Sequence, residues 1–144
     1  RSRLEITGEY HLGEFVNVFS PGSLVMSLKD GDSLEVPTLL FGTGNGVIGV
    51  LASLPKDAYD FAERLQTSMN KHIQGVGGLK HAEWRSFRHM LRGKSDPSRN
   101  FVDGDLVETF LDLKVEQADV VAADMKCDRA EIIRRVEELQ RLTH

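Results

Sequence analysis

Val47-Ile48-Gly49-Val50-Leu51-Ala52-Ser53-Leu54-Pro55-Lys56-Asp57-Ala58-Tyr59-Asp60-Phe61-Ala62-Glu63-Arg64-Leu65 holds the point at which the hydrophobic rhythm of this chain changes. Upstream of Pro55, apolar residues alternate with polar ones between glycine-rich turns, as in Leu4, Ile6, Tyr10 and Leu12. Downstream they recur at intervals of three and four, as in Phe61, Leu65, Met69 and Ile73. A period of two places alternate side chains on opposite faces of a strand, whereas a period of 3.6 lines one face of a helix. The chain therefore reads as α+β, with antiparallel strands over residues 1–54 and a helical part over residues 55–144. About four short strands are too few to close a barrel or to cover both of their own apolar faces. The strand part reads as a piece of something larger.

Outward from the quoted stretch, residues 38–43 and 47–52 flank Gly44-Asn45-Gly46, where Asn-Gly supplies the positive φ angles of a tight hairpin. The nearly all-apolar run Val47-Ile48-Gly49-Val50-Leu51-Ala52 suits a strand buried on both faces. Residues 4–12 read as a first strand and residues 15–19 as a second, with Val16 and Val18 on one face and Phe15, Asn17 and Phe19 on the other. Both faces carry apolar groups, so both are expected to be covered. Pro21-Gly22 turns the chain into Leu24, Met26 and Leu28, and Lys29-Asp30-Gly31-Asp32 makes an exposed reversal.

In the helical part, Pro55 suits a first turn, where its missing N–H has no bond to lose, and Ala58, Phe61, Ala62, Leu65, Met69, Ile73 and Val76 form one stripe. Gly75-Val76-Gly77-Gly78 ends that helix. A short helix is expected over residues 81–87, then a polar loop over residues 93–100. Asp103 reads as an N-cap for a helix with Leu106, Val107, Phe110 and Leu111 inward. A further helix covers residues 116–125. The last starts at Asp128, whose spacing to Glu131 resembles a capping box, and turns Ile132, Ile133, Val136, Leu139 and Leu142 to one side. Glu131 with Arg135 and Glu137 with Arg141 have the spacing of helical ion pairs.

The 144 residues are 40% hydrophobic and 28% charged, which suits one small domain or two subdomains. No run of 18 apolar residues occurs, so no membrane partner is expected. The opening Arg1-Ser2-Arg3-Leu4 has neither an initiator Met nor an apolar signal segment, and the chain reads as beginning mid-protein. The single cysteine, Cys127, excludes an internal disulfide and a multi-Cys zinc site, and fits the reducing nucleus or cytoplasm. A net charge of −4 argues against a generic nucleic-acid coat, whose affinity rests on neutralised phosphates.

Motifs for chemistry are weak. Gly44-Asn45-Gly46-Val47-Ile48-Gly49 satisfies G-x-G-x-x-G, but that fingerprint needs a helix to start there, and the residues after it favour a strand. Gly93-Lys94-Ser95 resembles the end of a phosphate-binding loop, yet Arg88 stands where the pattern requires glycine. Asp103-Gly104-Asp105 with Glu108 lacks calcium-loop spacing, and capping explains it better. His11, His72, His81, His89 and His144 show no metal-ligand spacing. Ser20, Ser53, Ser86 and Cys127 lie in no activating motif. These readings imply no cofactor, no metal and no catalytic residue.

Two surfaces remain. Lys80, Arg85, Arg88, Arg92, Lys94 and Arg99 are interleaved with Trp84 and Phe87, and a helix running past Phe87 would put Arg85, Arg88, His89 and Arg92 on one face. The preferred reading is that the aromatics anchor a small helix while the arginines pair with neighbouring acids. The second surface is the Phe15, Asn17, Phe19 face with the hairpin tip at Gly44-Asn45. An amide between aromatics at a sheet end suits the holding of a partner's helix or loop; packing against a neighbouring blade or the helical part would use the same residues.

LEITGEYHLGEFVNVF, GSLVM, FGTGNGVIGV, VGGLKHAEWRSF, NFVDGDLVETFLDL and RVEELQRLTH together resemble the C-terminal region of the large subunits of damage-specific DNA-binding protein. DGDL followed by an acid is also similar to the tails of three-propeller proteins of splicing and 3′-end cleavage. The resemblance implies that residues 1–54 complete the last blade of a third β-propeller and that residues 55–144 form a C-terminal helical domain. It implies a non-catalytic adaptor of cullin-4 RING ubiquitin ligases that docks WD-repeat substrate receptors, the cullin being gripped by a propeller outside this stretch. DNA is then met only indirectly, through the small partner subunit. Phe15, Asn17 and Gly44 match receptor-docking positions of the family, although Gly44 stands where an aliphatic residue is usual.

Overall fold

A computed structural model describes residues 2–25, 36–88 and 95–143. Three strands, β1 (Val16–Pro21), β2 (Thr38–Thr43) and β3 (Ile48–Ala52), form an antiparallel sheet in the order β1-β2-β3. Most of the chain beyond Pro55 is helical: α1 (Lys56–His72), α3 (Gly104–Glu108) continued by a 3-10 turn at Thr109–Asp112, α4 (Val115–Met125) and α5 (Arg129–Gln140). Between α1 and α3 lie the single-turn α2 (His81–Trp84) and a two-residue ribbon of β4 (Phe87–Arg88) with β5 (Ser95–Asp96). The α+β reading holds.

The core belongs to the helices. Among the described residues, every buried apolar side chain falls between Ala58 and Val136, and Thr43 is the sheet's one buried residue. Leu65 and Met69 of α1, Val107 and Phe110 beside α3, Val121 and Met125 of α4, and Ile132 and Val136 of α5 form one cluster. Their three- and four-residue spacings turn one stripe of each helix inward. Polar contacts fasten the seams: Ser68 Oγ donates to Asp124 Oδ2 at 2.8 Å, and Arg64 Nη2 donates to the carbonyl of Met125 at 2.9 Å, satisfying an orphan acceptor at the end of α4.

The hairpin forms, with a turn different from the one expected. Gly46 N–H donates to Thr43 O at 3.1 Å and Thr43 N–H to Val47 O at 2.9 Å, and within the turn only Gly46 has positive φ, at 87°. That is a three-residue loop in which one left-handed glycine suffices, not a two-residue turn with Asn45 also left-handed. The pairing of Phe41 with Gly49 is informative, because a Cβ on Gly49 would meet the Phe41 ring at 2.1 Å. Phe41 covers the glycine and stands 6.3 Å from the Phe19 ring on the next strand. One aromatic row thus crosses the sheet.

Several expectations are corrected. Residues 4–12 do not join the sheet; they run against the segment between α1 and α3, with the Glu9–Arg99 bridge as their paired contact (Glu9 N–H to Arg99 O 3.0 Å, Arg99 N–H to Glu9 O 2.9 Å). Alternation reports extended backbone but names no partner for it. The strands are not covered on both faces: five of the six residues of β1 are exposed, Leu4 is fully exposed, and Ile48 keeps 65% of its surface. β1 does not alternate strictly either, since Val16 pairs with Thr43 and Val18 with Gly42, leaving Asn17 as the extra residue of a bulge.

Pro55 sits just before α1 and its carbonyl accepts the first helical bond, from Tyr59. That helix stops at His72, where Ile73 turns extended, ahead of the glycines. The helix expected over residues 81–87 ends at Trp84, and Phe87–Arg88 is a short strand instead of its continuation. Asp128 takes the N-cap position of α5 without a side-chain cap bond. Glu131 is held by Arg134 and Arg135 instead, and Arg134 reaches on to Glu138. The strand expected through Met26 and Leu28, the reversal at residues 29–32, and His89, Arg92, Gly93, Lys94 and His144 lie outside the described residues.

Candidate functional site

Phe15, Asn17 and Gly44, distant in sequence, come together at one end of the sheet. Gly44 N–H donates to the Phe15 carbonyl at 3.0 Å, and a Cβ built on Gly44 would lie 3.6 Å from the Asn17 side-chain amide, an ordinary contact. A Cβ at position 44 would therefore fit without displacing Asn17. Thr43 braces the corner from within: its hydroxyl donates to Glu14 at 2.5 Å and accepts the Val47 N–H at 3.1 Å. Phe15 keeps 79% of its surface exposed and Val18 57%. Bulges re-aim side chains at strand ends, and here the bulge sets Asn17 beside the hairpin tip. The result is an apolar patch with one amide in it, suited to gripping a protein surface.

A second constellation was not legible as a unit. The Asp103 carboxylate, 5% exposed, accepts from His81 Nε2 at 2.7 Å, from Arg85 Nε at 2.6 Å and from the Asp105 N–H at 3.1 Å. The expected capping role is real, and an ion pair is added to it. Asp103 N–H donates to Gln66 of α1 at 2.7 Å, and Arg85 lies over the Tyr10 ring at 4.8 Å. Burial opposes ionisation of Asp103, yet the hydrogen bonds from His81 and Arg85, with the Arg85 charge, outweigh it and hold the carboxyl below its usual range. Burial and the same carboxylate push the Tyr10 hydroxyl far above its own range.

Arg85, assigned from sequence to a basic patch, is thus committed to an internal acid, while Arg99 stands 3.8 Å from Glu9 and Lys80 3.9 Å from Glu83. The arginine half of the preferred reading holds for Arg85 and Arg99, whereas Trp84 is half exposed and lies outside the buried core.

A carboxylate whose folded-state pKa is depressed binds fewer protons in the folded state than in the unfolded one, so stability rises with pH through that window. The stabilisation from Asp103 is complete above about pH 4, the unfolded value, and is lost as pH falls through the lower folded value. Urea midpoints of the chain are expected to drop as the solution is acidified below about pH 4. Asp103→Asn is expected to flatten that acid limb, and an equally steep limb in the variant would remove Asp103 as its source.

Ile48–Ala52 is a strand, so the glycines from Gly44 to Gly49 open no helix toward a nucleotide. Among the described residues no group of three or more His, Cys, Asp or Glu could hold a metal, and no helix is long and apolar enough to cross a membrane. A cavity of about 750 Å³ separates β2 and β3 from the helices, with Leu39, Leu51, Val102, Leu139 and Leu142 in its lining. Its described titratable members are Tyr59 and Glu108.

The comparisons agree with the stretches that carried the resemblance. DNA damage-binding protein 1 of Solanum lycopersicum is 56% identical over 142 residues, 99% of this chain. DNA damage-binding protein 1a of Arabidopsis thaliana is 54% identical over the same span, and DNA damage-binding protein 1 of Oryza sativa subsp. japonica 53%. The chain spans 13% of the length of each of these relatives. The model of the CPSF A subunit region matches residues 1–112. With most of its length inside that match, the chain belongs to the CPSF A subunit region family.

Proposed function

We propose that this chain is the C-terminal part of a non-catalytic adaptor in a cullin-4 RING ubiquitin ligase, serving the DNA damage response in nucleus and cytoplasm. Residues 1–54 end the third β-propeller, residues 55–144 form the helical domain, and Phe15, Asn17 and Gly44 belong to a surface that docks WD-repeat substrate receptors. The cullin is held by another propeller of the intact protein, and DNA is met through a small partner subunit. The observation that carries this reading is identity of 54–56% over 99% of the chain to proteins named DNA damage-binding protein 1. Support also comes from the sheet, which has no buried apolar core of its own and leaves Phe15 exposed.

A second reading, a scaffold of a related RNA-processing assembly of splicing or 3′-end cleavage, is favoured by Asp103-Gly104-Asp105-Leu106, whose sequence followed by an acid is similar to the tails of such proteins. Affinity capture of the full-length protein separates the two. WD-repeat proteins and cullin-4 are expected among the captured partners; splicing or cleavage factors in their place would overturn the first reading in favour of the second.

A further inference from the structure

Between the helical part and the docking patch runs a short relay of fixed contacts. Arg85 Nε is held by Asp103, and the same guanidinium donates through Nη1 to the carbonyls of His11 at 3.1 Å and Leu12 at 3.4 Å. His11 Nδ1 donates to the Trp84 carbonyl at 2.9 Å, and its ring meets the Trp84 indole edge-on at 5.3 Å. At Gly13 the backbone turns left-handed with φ of 87°, and a Cβ there would strike the indole at 2.5 Å. Glu14 then bonds Thr43 and Phe15 bonds Gly44. Five consecutive residues, 11–15, are thus tied at one end to α2 and α3 and at the other to the hairpin tip.

The exposed Phe15 side chain has little of its own to hold it, so its position is set by these two anchorages. The hairpin anchorage is local to the sheet. The other depends on a planar guanidinium that bridges a buried carboxylate and two carbonyls at once, which an ammonium group cannot reproduce. Resting on the docking reading above, we infer that Asp103 and Arg85 are positioning residues for the receptor surface, coupling the helical part to the affinity of Phe15 for a WD-repeat partner.

The test uses the full-length protein and a WD-repeat receptor recovered with it. Asp103→Asn keeps a good N-cap, because Asn caps as well as Asp, but removes the charge that orients Arg85. Arg85→Lys keeps the charge but not the fork. Each is expected to weaken receptor binding by about tenfold, within the usual range of coupling between separate sites. The double variant Asp103→Asn with Phe15→Glu is expected to bind no more weakly than Phe15→Glu alone, since the relay acts through Phe15. Hydrogen exchange is expected to quicken in residues 9–17 and to stay unchanged in α4 and α5, which a general loss of fold would not spare.

Unaltered affinity in both Asp103→Asn and Arg85→Lys, beside a loss in Phe15→Glu, would overturn the relay and leave the docking reading standing. Additive losses in the double variant would overturn it too. Unaltered affinity in Phe15→Glu would instead overturn the docking reading itself. Should Asp103→Asn fail to fold, Arg85→Lys alone, read by affinity and exchange, decides the question.

Discussion

Replacing Phe110 with alanine is expected to cost about 3–5 kcal/mol of folding stability. The ring is 2% exposed and sits in the 3-10 turn that carries α3 onward, within the cluster shared by α1, α4 and α5. Its removal takes away the transfer free energy of a large apolar group and leaves a void that the close-packed helices around it fill only in part. Because the fully buried apolar side chains among the described residues all lie in this one unit, the sheet holds no second core to absorb the loss. Denaturant unfolding monitored by helix ellipticity measures it. A shift smaller than about 1 kcal/mol would mean that the helices are not organised around this ring.

Phe15→Glu is expected to weaken binding of a WD-repeat receptor by the full-length protein about thirtyfold or more, the loss of a contact worth ~2 kcal/mol or above. An exposed aromatic close to a polar amide has the character of an anchor, and a carboxylate put in its place would have to be stripped of its water on docking. Stability should change little, because Phe15 contributes its backbone carbonyl, not its ring, to the hairpin contact. A binding curve by calorimetry, beside an unchanged unfolding midpoint, is the expected pair of results. Unchanged affinity would remove Phe15 from the docking surface.

What could be read from residue order was what depends on neighbours in sequence. The 3.6-residue stripe through Phe61, Leu65 and Met69 located α1, the glycines around Asn45 located the hairpin, and Asp103 was recognisable as a cap because capping acts over two or three residues. What escaped was set by contacts between distant segments. Residues 4–12 alternate like a strand, but their hydrogen bonds go to Arg85 and Arg99, some seventy to ninety positions away. The bulge at Asn17 comes from pairing with β2, and no local pattern announces it.

The Asp103 node shows the same limit most plainly. Tyr10, His81, Arg85 and Asp103 come from three stretches of chain, and each had a sufficient local explanation as strand, short helix, basic patch or cap. The one available signal was chemical: a region with six basic residues in an acidic chain needs acids to answer them. For Phe15, Asn17 and Gly44 the amide flanked by aromatics and the glycine-rich tip marked a shared sheet end, and the family resemblance singled out these three positions, although the actual contact between Gly44 and Phe15 runs through backbone atoms.

The one-sided distribution of burial also shapes how the molecule breathes. Strands whose side chains are half in water, with β1 and β3 on the outside of the sheet among the described residues, separate at lower free energy than helices that share a dry interior. The helical unit then outlasts the sheet during excursions from the native state and serves as the platform on which β1 re-forms. Any surface borne by β1 has a lifetime governed by how firmly residues 11–15 stay moored to that platform.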